Sequence, residues 1–317
     1  AEILDINDSK CRDKIHPEYI IDNTGGWQIK HELDFYVDFE AIHHQFYTND
    51  IDIHHTNERT SIIFMVGVGY EENGKWKYKD FTMTDYDENV ELKNFKNFMD
   101  FLTSRQTAFM KKYGLKKRSD AMMNLYHWGH IEKTQFATLL SRSLANNKYV
   151  LDFNKFQRNI QWIDFNRIFQ REPITIKGAM NFSIKTVGKA MYKHNMIKSI
   201  WKKDKESPKD GLAAMMVAIK YYQFKEEWDK MSSKKKKALK KNKVKEDTLF
   251  KKMTYYNEMD CKVLYEIVEY LRNNHIDVDD IDNGDEDYDP DEKEKLVDVS
   301  ENESEEESEW EFSDEEK

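Results

Sequence analysis

Residues 33–42, LDFYVDFEAI, decide how this chain is read. Phe35, Val37 and Phe39 fall on one side of an alternating pattern, and Tyr36, Asp38 and Glu40 fall on the other. A period of two marks a strand whose faces meet different surroundings. Asp38 and Glu40, two residues apart, therefore share a face. Carboxylates so close repel unless something positive lies between them. Magnesium and manganese, hard ions that take oxygen ligands, satisfy that geometry. A solvated acidic pair on an exposed face is the plainer alternative. An aspartate inside an otherwise aromatic and apolar strand fits it less well.

The pattern continues outward from this strand. Residues 60–70, TSIIFMVGVGY, form an apolar run that reads as a central strand. The Asn-Gly of ENGK at 72–75 suits the positive φ of a hairpin turn, and 76–83 is the return strand. Leu92, Phe95, Phe98, Met99 and Leu102 give helical periodicity over 89–113. AMMNLYHW at 121–128 reads as a further strand that Gly129 breaks, and 131–144 reads as a helix. Only short pieces are legible around 162–169. Helices are expected at 183–192, with Ser183 as N-cap, at 211–222 and at 248–272. This order predicts an α/β fold, a mixed sheet flanked by helices with a helical second half. Residues 1–30 read as a lead-in or the remnant of an upstream region, 31–275 as the folded domain, and 276–317 as a tail.

Composition narrows the function classes. The chain has 317 residues, 39% hydrophobic and 13% aromatic, ample for a buried core. No apolar run approaches the roughly 18 residues of a membrane-spanning helix, so no membrane partner is expected. The first residues, AEILDINDSK, have neither a basic n-region nor an apolar h-region, so no signal peptide is expected. A start at Ala1 without methionine suggests a processed product or a piece of something longer. Two cysteines, Cys11 and Cys261, make no disulfide framework, and no CxxC or Cys/His zinc spacing occurs. An intracellular, reducing compartment follows, with cytoplasm and nucleus undistinguished. His43, His44, His54 and His55 lie in a polar stretch without HxH or HxxxH spacing and read as surface histidines.

The net charge of −10 conceals two opposed parts. Residues 276–317 carry 22 Asp and Glu against 3 Lys, a net of −19. Residues 1–275 carry 47 Lys and Arg against 38 Asp and Glu, a net of +9. The tail has too few apolar residues to offset its ordering entropy and is expected to be disordered. It reads either as a solubilising appendage or as a polyanion that competes with nucleic acid or docks a basic protein partner. Ser304, Ser308 and Ser313 stand among its acids. The lysine-rich stretch within 230–246, SSKKKKALKKNKVKE, reads as a solvated helical arm, a localisation signal or a phosphate-binding patch.

Two further acidic motifs follow. Tyr256 and Asp260, four apart on the last helix, point the same way. In YHWGHIEK, 126–133, Gly129 ends a strand and Glu132 opens a helix, where an acid is electrostatically favoured in any case.

Taken in order, FYVDFEAI, FMVGVG, LYHWGHIE, WIDFNRIF, EPITIKGAMNFSIKTVGKAM and YYNEMDCKVLYEIVEYLR resemble the DEDD superfamily of ribonuclease-H-like 3′→5′ exonucleases. The similarity is to the branch whose last motif carries tyrosine, and more closely to the ribonuclease-H-like domain of predicted RecB-family nucleases. It spans roughly residues 33–273. The resemblance implies a ribonuclease-H-like sheet and a two-metal phosphodiester hydrolase acting on DNA or RNA. It places Asp38, Glu40, Glu132 and Asp260 as ligands of two Mg²⁺ or Mn²⁺ ions, with Asp38 shared between them. Tyr256 would position the attacking water, since a phenol with a pKa near 10 is a poor base. Glu132 stands where the wider superfamily has aspartate, and Trp128 replaces its usual asparagine. Asp164 matches a family aspartate and is assigned to support at the sheet end. Lys177 and Lys185 match lysines expected to contact substrate phosphate, with ordinary surface lysine as the alternative. Trp128 or Phe182 offers an aromatic face to a base, although core packing is the preferred role for Phe182. A nucleic-acid-binding or scaffold module without turnover is the alternative that the changes at 128 and 132 keep open.

Overall fold

A computed structural model describes residues 2–43, 61–201, 208 and 210–277. His44, His54, His55 and the acidic tail from residue 278 lie outside them. The chain runs α1 (Glu2–Asn7), β1 (Ile15–His16), β2 (Asp34–Ile42), β3 (Ile62–Glu72), β4 (Lys75–Thr82), α2 (Glu88–Tyr113), β5 (Met123–His127), α3 (Ile131–Ala145) and α4 (Val150–Gln157). It continues β6 (Ile160–Asp164), α5 (Phe165–Arg171), β7 (Thr175–Ile176), α6 (Ile184–Lys193), α7 (Gly211–Lys230), α8 (Ser233–Ala238) and α9 (Lys240–Asn274).

Five strands form one mixed sheet in the order β4-β3-β2-β5-β6. The central strand β2 runs antiparallel to β3 and parallel to β5, and β6 is parallel to β5. The β3–β4 hairpin turns at Asn73 and Gly74, both with positive φ, as the Asn-Gly pair requires. The parallel connections are crossovers through α2 and through α3–α4. Asp87 caps α2, its carboxylate accepting from the N–H groups of Asn89 and Val90, and Gly114 ends that helix with φ at 67°.

The alternation in β2 sorts residues between two cores. Phe35, Val37 and Phe39 pack with Leu92, Phe95 and Phe98 of α2, Phe136 of α3 and Phe153 of α4. Tyr36 points to the opposite layer, where Phe165 and Phe169 of α5, Val187 and Met191 of α6, and Val263, Leu264 and Ile267 of α9 meet it. The sheet is thus covered by helices on both faces. A third cluster joins Ile42 and Phe64 to Met215 and Tyr222 of α7 and Phe250 and Met253 of α9. Asp38 and Glu40 lie on the Tyr36 face, further along β2 in the same period-two register.

Residues 2–30 belong to the same compact unit, which runs to Ile276. Ile20 and Trp27 are buried in the α5–α6–α9 core, and the Ile20 N–H donates to the His275 carbonyl. The Arg272 guanidinium donates to the Trp27 carbonyl at 2.6 Å, to Asp34 at 2.9 Å and to the Tyr126 hydroxyl at 2.7 Å. This buried fork ties the N-terminal segment, β2 and β5 to the end of α9. No described helix is long and apolar enough to cross a membrane.

Candidate metal centre

Asp38 and Glu40 come from β2, and Asp260 comes from α9, which packs across that face of the sheet. Each offers a carboxylate oxygen within 4.8 Å of those of the other two. Glu40 and Asp260 are buried, and Asp38 is half-buried. The register slips between Glu40 and Ala41, so an irregularity in the β2–β3 ladder lies beside the site, as bulges often do.

Burial pushes the Asp38 carboxyl well above the usual carboxylate range, and the charges of Asp260, Glu40 and Glu132 add to the effect. Burial, then the Asp260 charge, raises Glu40 to about 8. Burial raises Asp260 to about 7 against the opposing pull of the Lys185 ammonium. Two like charges 4 Å apart cost about 4 kcal/mol at an effective dielectric constant of 20, so three such groups in one pocket hold protons unless a cation replaces them.

Glu132 opens α3, directly after the turn that ends β5. It is buried, its charge acts on all three acids, and its Oε2 has no hydrogen-bond partner. His127 Nδ1 stands 3.5 Å from that oxygen. An orphaned buried carboxylate oxygen costs free energy unless something completes it. Glu132 is not in the group of acids within 4.8 Å of one another, but the all-oxygen donors of Asp38, Glu40 and Asp260 are the ligand type that Mg²⁺ or Mn²⁺ takes. The residues therefore fit such an ion.

Tyr256, one turn before Asp260 on α9, donates its hydroxyl to the Asp260 carboxylate. Lys185, at the start of α6, donates to the Tyr256 oxygen and lies over the ring at 4.3 Å. Burial and the nearby acids drive the Tyr256 hydroxyl far up, so it remains a phenol. Lys185 is thus brought into the cluster, with Ser183 capping its helix by accepting from the Thr186 N–H.

The other expected residues sit differently. The Lys177 ammonium donates to the carbonyls of Asp8 and Cys11, so its contacts are with the N-terminal segment rather than with the acids. The Trp128 indole N–H donates to the Phe182 carbonyl at 2.9 Å, and its ring packs on Phe165 and Phe169. Trp128 and Phe182 are both half-buried and pack against the α5–α6–α9 core. Asp164 caps α5 and accepts from the Gly129 N–H at 2.9 Å, holding the turn that delivers Glu132.

Sequence reading missed three groups that shape the site. Asn257 is fully buried and donates from Nδ2 to the Asp38 carboxylate at 2.6 Å and to the Asp38 carbonyl at 3.1 Å. Its Oδ1 accepts from the Tyr78 hydroxyl at 2.8 Å. Gly67 pairs with Asp38 across the β2–β3 ladder, and a Cβ there would stand 1.6 Å from Asn257 Oδ1. The absent side chain is what lets Asn257 reach Asp38. The Trp201 indole N–H donates to Asp260 at 3.1 Å. A glycine inside an apolar strand, as in FMVGVG, is the one sequence sign that another group approaches closely. No family model, curated protein or solved structure matches the chain.

Proposed function

We propose that this chain is a metal-dependent nuclease that hydrolyses phosphodiester bonds of DNA or RNA, a 3′→5′ exonuclease of the tyrosine-containing DEDD type. The observation that carries the reading is the convergence of Asp38, Glu40 and Asp260, more than 200 residues apart at the extremes, into one buried cluster. The sheet order supports it too. An antiparallel three-strand unit is extended by two parallel strands on the side of its first strand, as a ribonuclease-H-like fold requires. Asp38, Glu40 and Asp260 would hold the ions, with Glu132 completing the set. Bound divalent cations would neutralise phosphate charge and supply a nucleophile from water at neutral pH.

The chain's own residues do the positioning. Asn257 fixes the Asp38 carboxylate through Oδ2. The Trp201 indole and the Tyr256 hydroxyl hold the Asp260 carboxylate. Tyr256 keeps its proton, so it orients a nucleophile and does not deprotonate it. Lys185 offsets the negative charge of the cluster and is placed to meet a phosphate that enters it.

End-labelled single-stranded DNA and RNA, incubated with Mg²⁺ or Mn²⁺, test the proposal. Shortening from the 3′ end, abolished by EDTA and by Asp38→Ala, is expected. Shortening unchanged in Asp38→Ala would contradict the assigned site. A second reading, binding without turnover, draws on the core packing of Trp128, which leaves no asparagine-like polar group there. Salt-sensitive binding with no cleavage under either metal would favour it.

A further inference from the structure

A second group of metal-ligating side chains lies in the N-terminal segment. Cys11, Asp13 and His16 each offer one ligand atom, and these atoms lie within 4.8 Å of one another. Cys11 is half-buried, while the Asp13 and His16 side chains are 62% and 49% exposed, so an ion can reach them from solvent. His16 Nε2 already stands 3.2 Å from an Asp13 oxygen. The donor set is one sulfur, one nitrogen and one oxygen, unlike the all-oxygen acidic cluster.

We propose that Cys11, Asp13 and His16 form a site for Zn²⁺, separate from the acidic centre. The softness of the ligands selects the metal. Thiolate and imidazole favour zinc over magnesium or manganese, and a tetrahedral zinc with three protein ligands keeps its fourth position for water. On binding, the Cys11 S–H gives its proton to solvent and the Sγ–zinc bond forms as one water leaves the ion. No electron is transferred. Sequence spacing hides the site because a carboxylate stands where a second cysteine or histidine is usually sought.

The scaffold behind the site is already built. His16 pairs with Thr175 and Ile15 with Ile176 in a two-stranded ladder. The Lys177 N–H donates to the Lys14 carbonyl at 2.8 Å, and the Lys177 ammonium holds the Cys11 carbonyl. The Asn7 side chain reaches Ala179 and Gly178. These contacts dock the segment on the strand that leads into α6, the helix carrying Lys185. Zinc would lock that docking, and any ligand that binds only the folded state stabilises it.

Co²⁺ titration of the full chain tests it, because thiolate coordination gives a charge-transfer band that oxygen ligands do not. One equivalent of Co²⁺ per chain should produce the band, Zn²⁺ should abolish it, and Asp38→Asn should leave it intact. Cys11→Ser should remove it. His16→Gln should weaken binding by at least the roughly 10- to 100-fold that follows when even a hydrogen-bond partner behind a metal ligand is removed. No band, a band that survives in Cys11→Ser, or one ion shared by two chains would overturn the proposal. Thiol labelling of the unaltered chain is a second readout, since Cys261 is fully buried and Cys11 alone is accessible. Zn²⁺ should slow labelling about tenfold or more, and His16→Gln should relieve the protection. Labelling indifferent to Zn²⁺, or protected equally in His16→Gln, would contradict it.

Discussion

Asn257 is the residue on which the geometry of Asp38 depends. Its amide is shared between Asp38 and the Tyr78 hydroxyl, and Gly67 leaves it room. Asn257→Ala should lower metal affinity or activity by about 10- to 100-fold, as removing the hydrogen-bond partner of a metal ligand does, with the fold retained by circular dichroism. Gly67→Ala should do at least as much, because its Cβ would displace the Asn257 carbonyl. Protonation of the cluster gives a second prediction. Unfolded, the three carboxyls titrate near 3.8 to 4.5, whereas folded and metal-free Asp260 and Glu40 titrate near 7 and 8. Below about pH 4 both states hold these protons. As pH rises further the unfolded chain releases them first, so the cluster destabilises the fold progressively up to about pH 8. Asp38→Asn should therefore raise the Tm of the metal-free protein at pH 8 and have much less effect at pH 4. Asp38 and Glu40 were legible in sequence because strand alternation puts them on one face. Asn257 was not, because nothing local distinguishes an asparagine aimed at another element from one facing solvent.

At the scale of elements, α9 does two jobs along its 35 residues. Its middle delivers Tyr256, Asn257 and Asp260, and its last turns carry Arg272 into the fork that joins β2, β5 and the N-terminal segment. Arg272 and Asp34 are nearly fully buried, so removing one strands the other. Arg272→Ala should cost about 3–5 kcal/mol in urea unfolding, with a smaller loss for a double change that removes both charges. The long helices and the β3–β4 hairpin were legible because apolar periodicity and the Asn-Gly turn are strong local signals. β6 was not, since WIDFNRIF passes from strand to helix with Asp164 as the cap and shows neither period for long enough. Residues 1–30 read as a lead-in because of their mixed polarity; in the fold Ile20 and Trp27 are part of the α5–α6–α9 core, with Trp27 edge-on against Phe165.

For the whole molecule, the division into a basic body and an acidic tail sets how a polyanion is met. Lys234, Lys235, Lys237, Lys240, Lys241 and Lys245 are exposed on α8 and the first turns of α9. Residues 240–249 of that helix bury no side chain, and only Lys243 among the lysines there is half-buried, paired with Asp247. Changing these six to Gln should weaken single-strand binding and flatten its salt dependence by roughly 0.7 in log–log slope for each phosphate no longer neutralised. Deleting residues 278–317 should tighten binding at low salt, because 40 residues of mostly negative sequence are removed from a chain whose remainder is basic. An unchanged affinity would exclude competition by the tail. Charge asymmetry was plain in the sequence, whereas the approach of α9 to β2 that assembles the acids is a property of the folded chain alone.

The proposed activity requires that Asp38, Glu40, Glu132 and Asp260 hold hard divalent cations. Titration with Mn²⁺ followed by electron paramagnetic resonance tests it without requiring a substrate. Two ions per chain, competed by Mg²⁺ and lost in Asp38→Asn and Asp260→Asn variants that remain folded, is the result predicted. Binding that is absent from the unaltered protein, or unaffected by both substitutions, would contradict it.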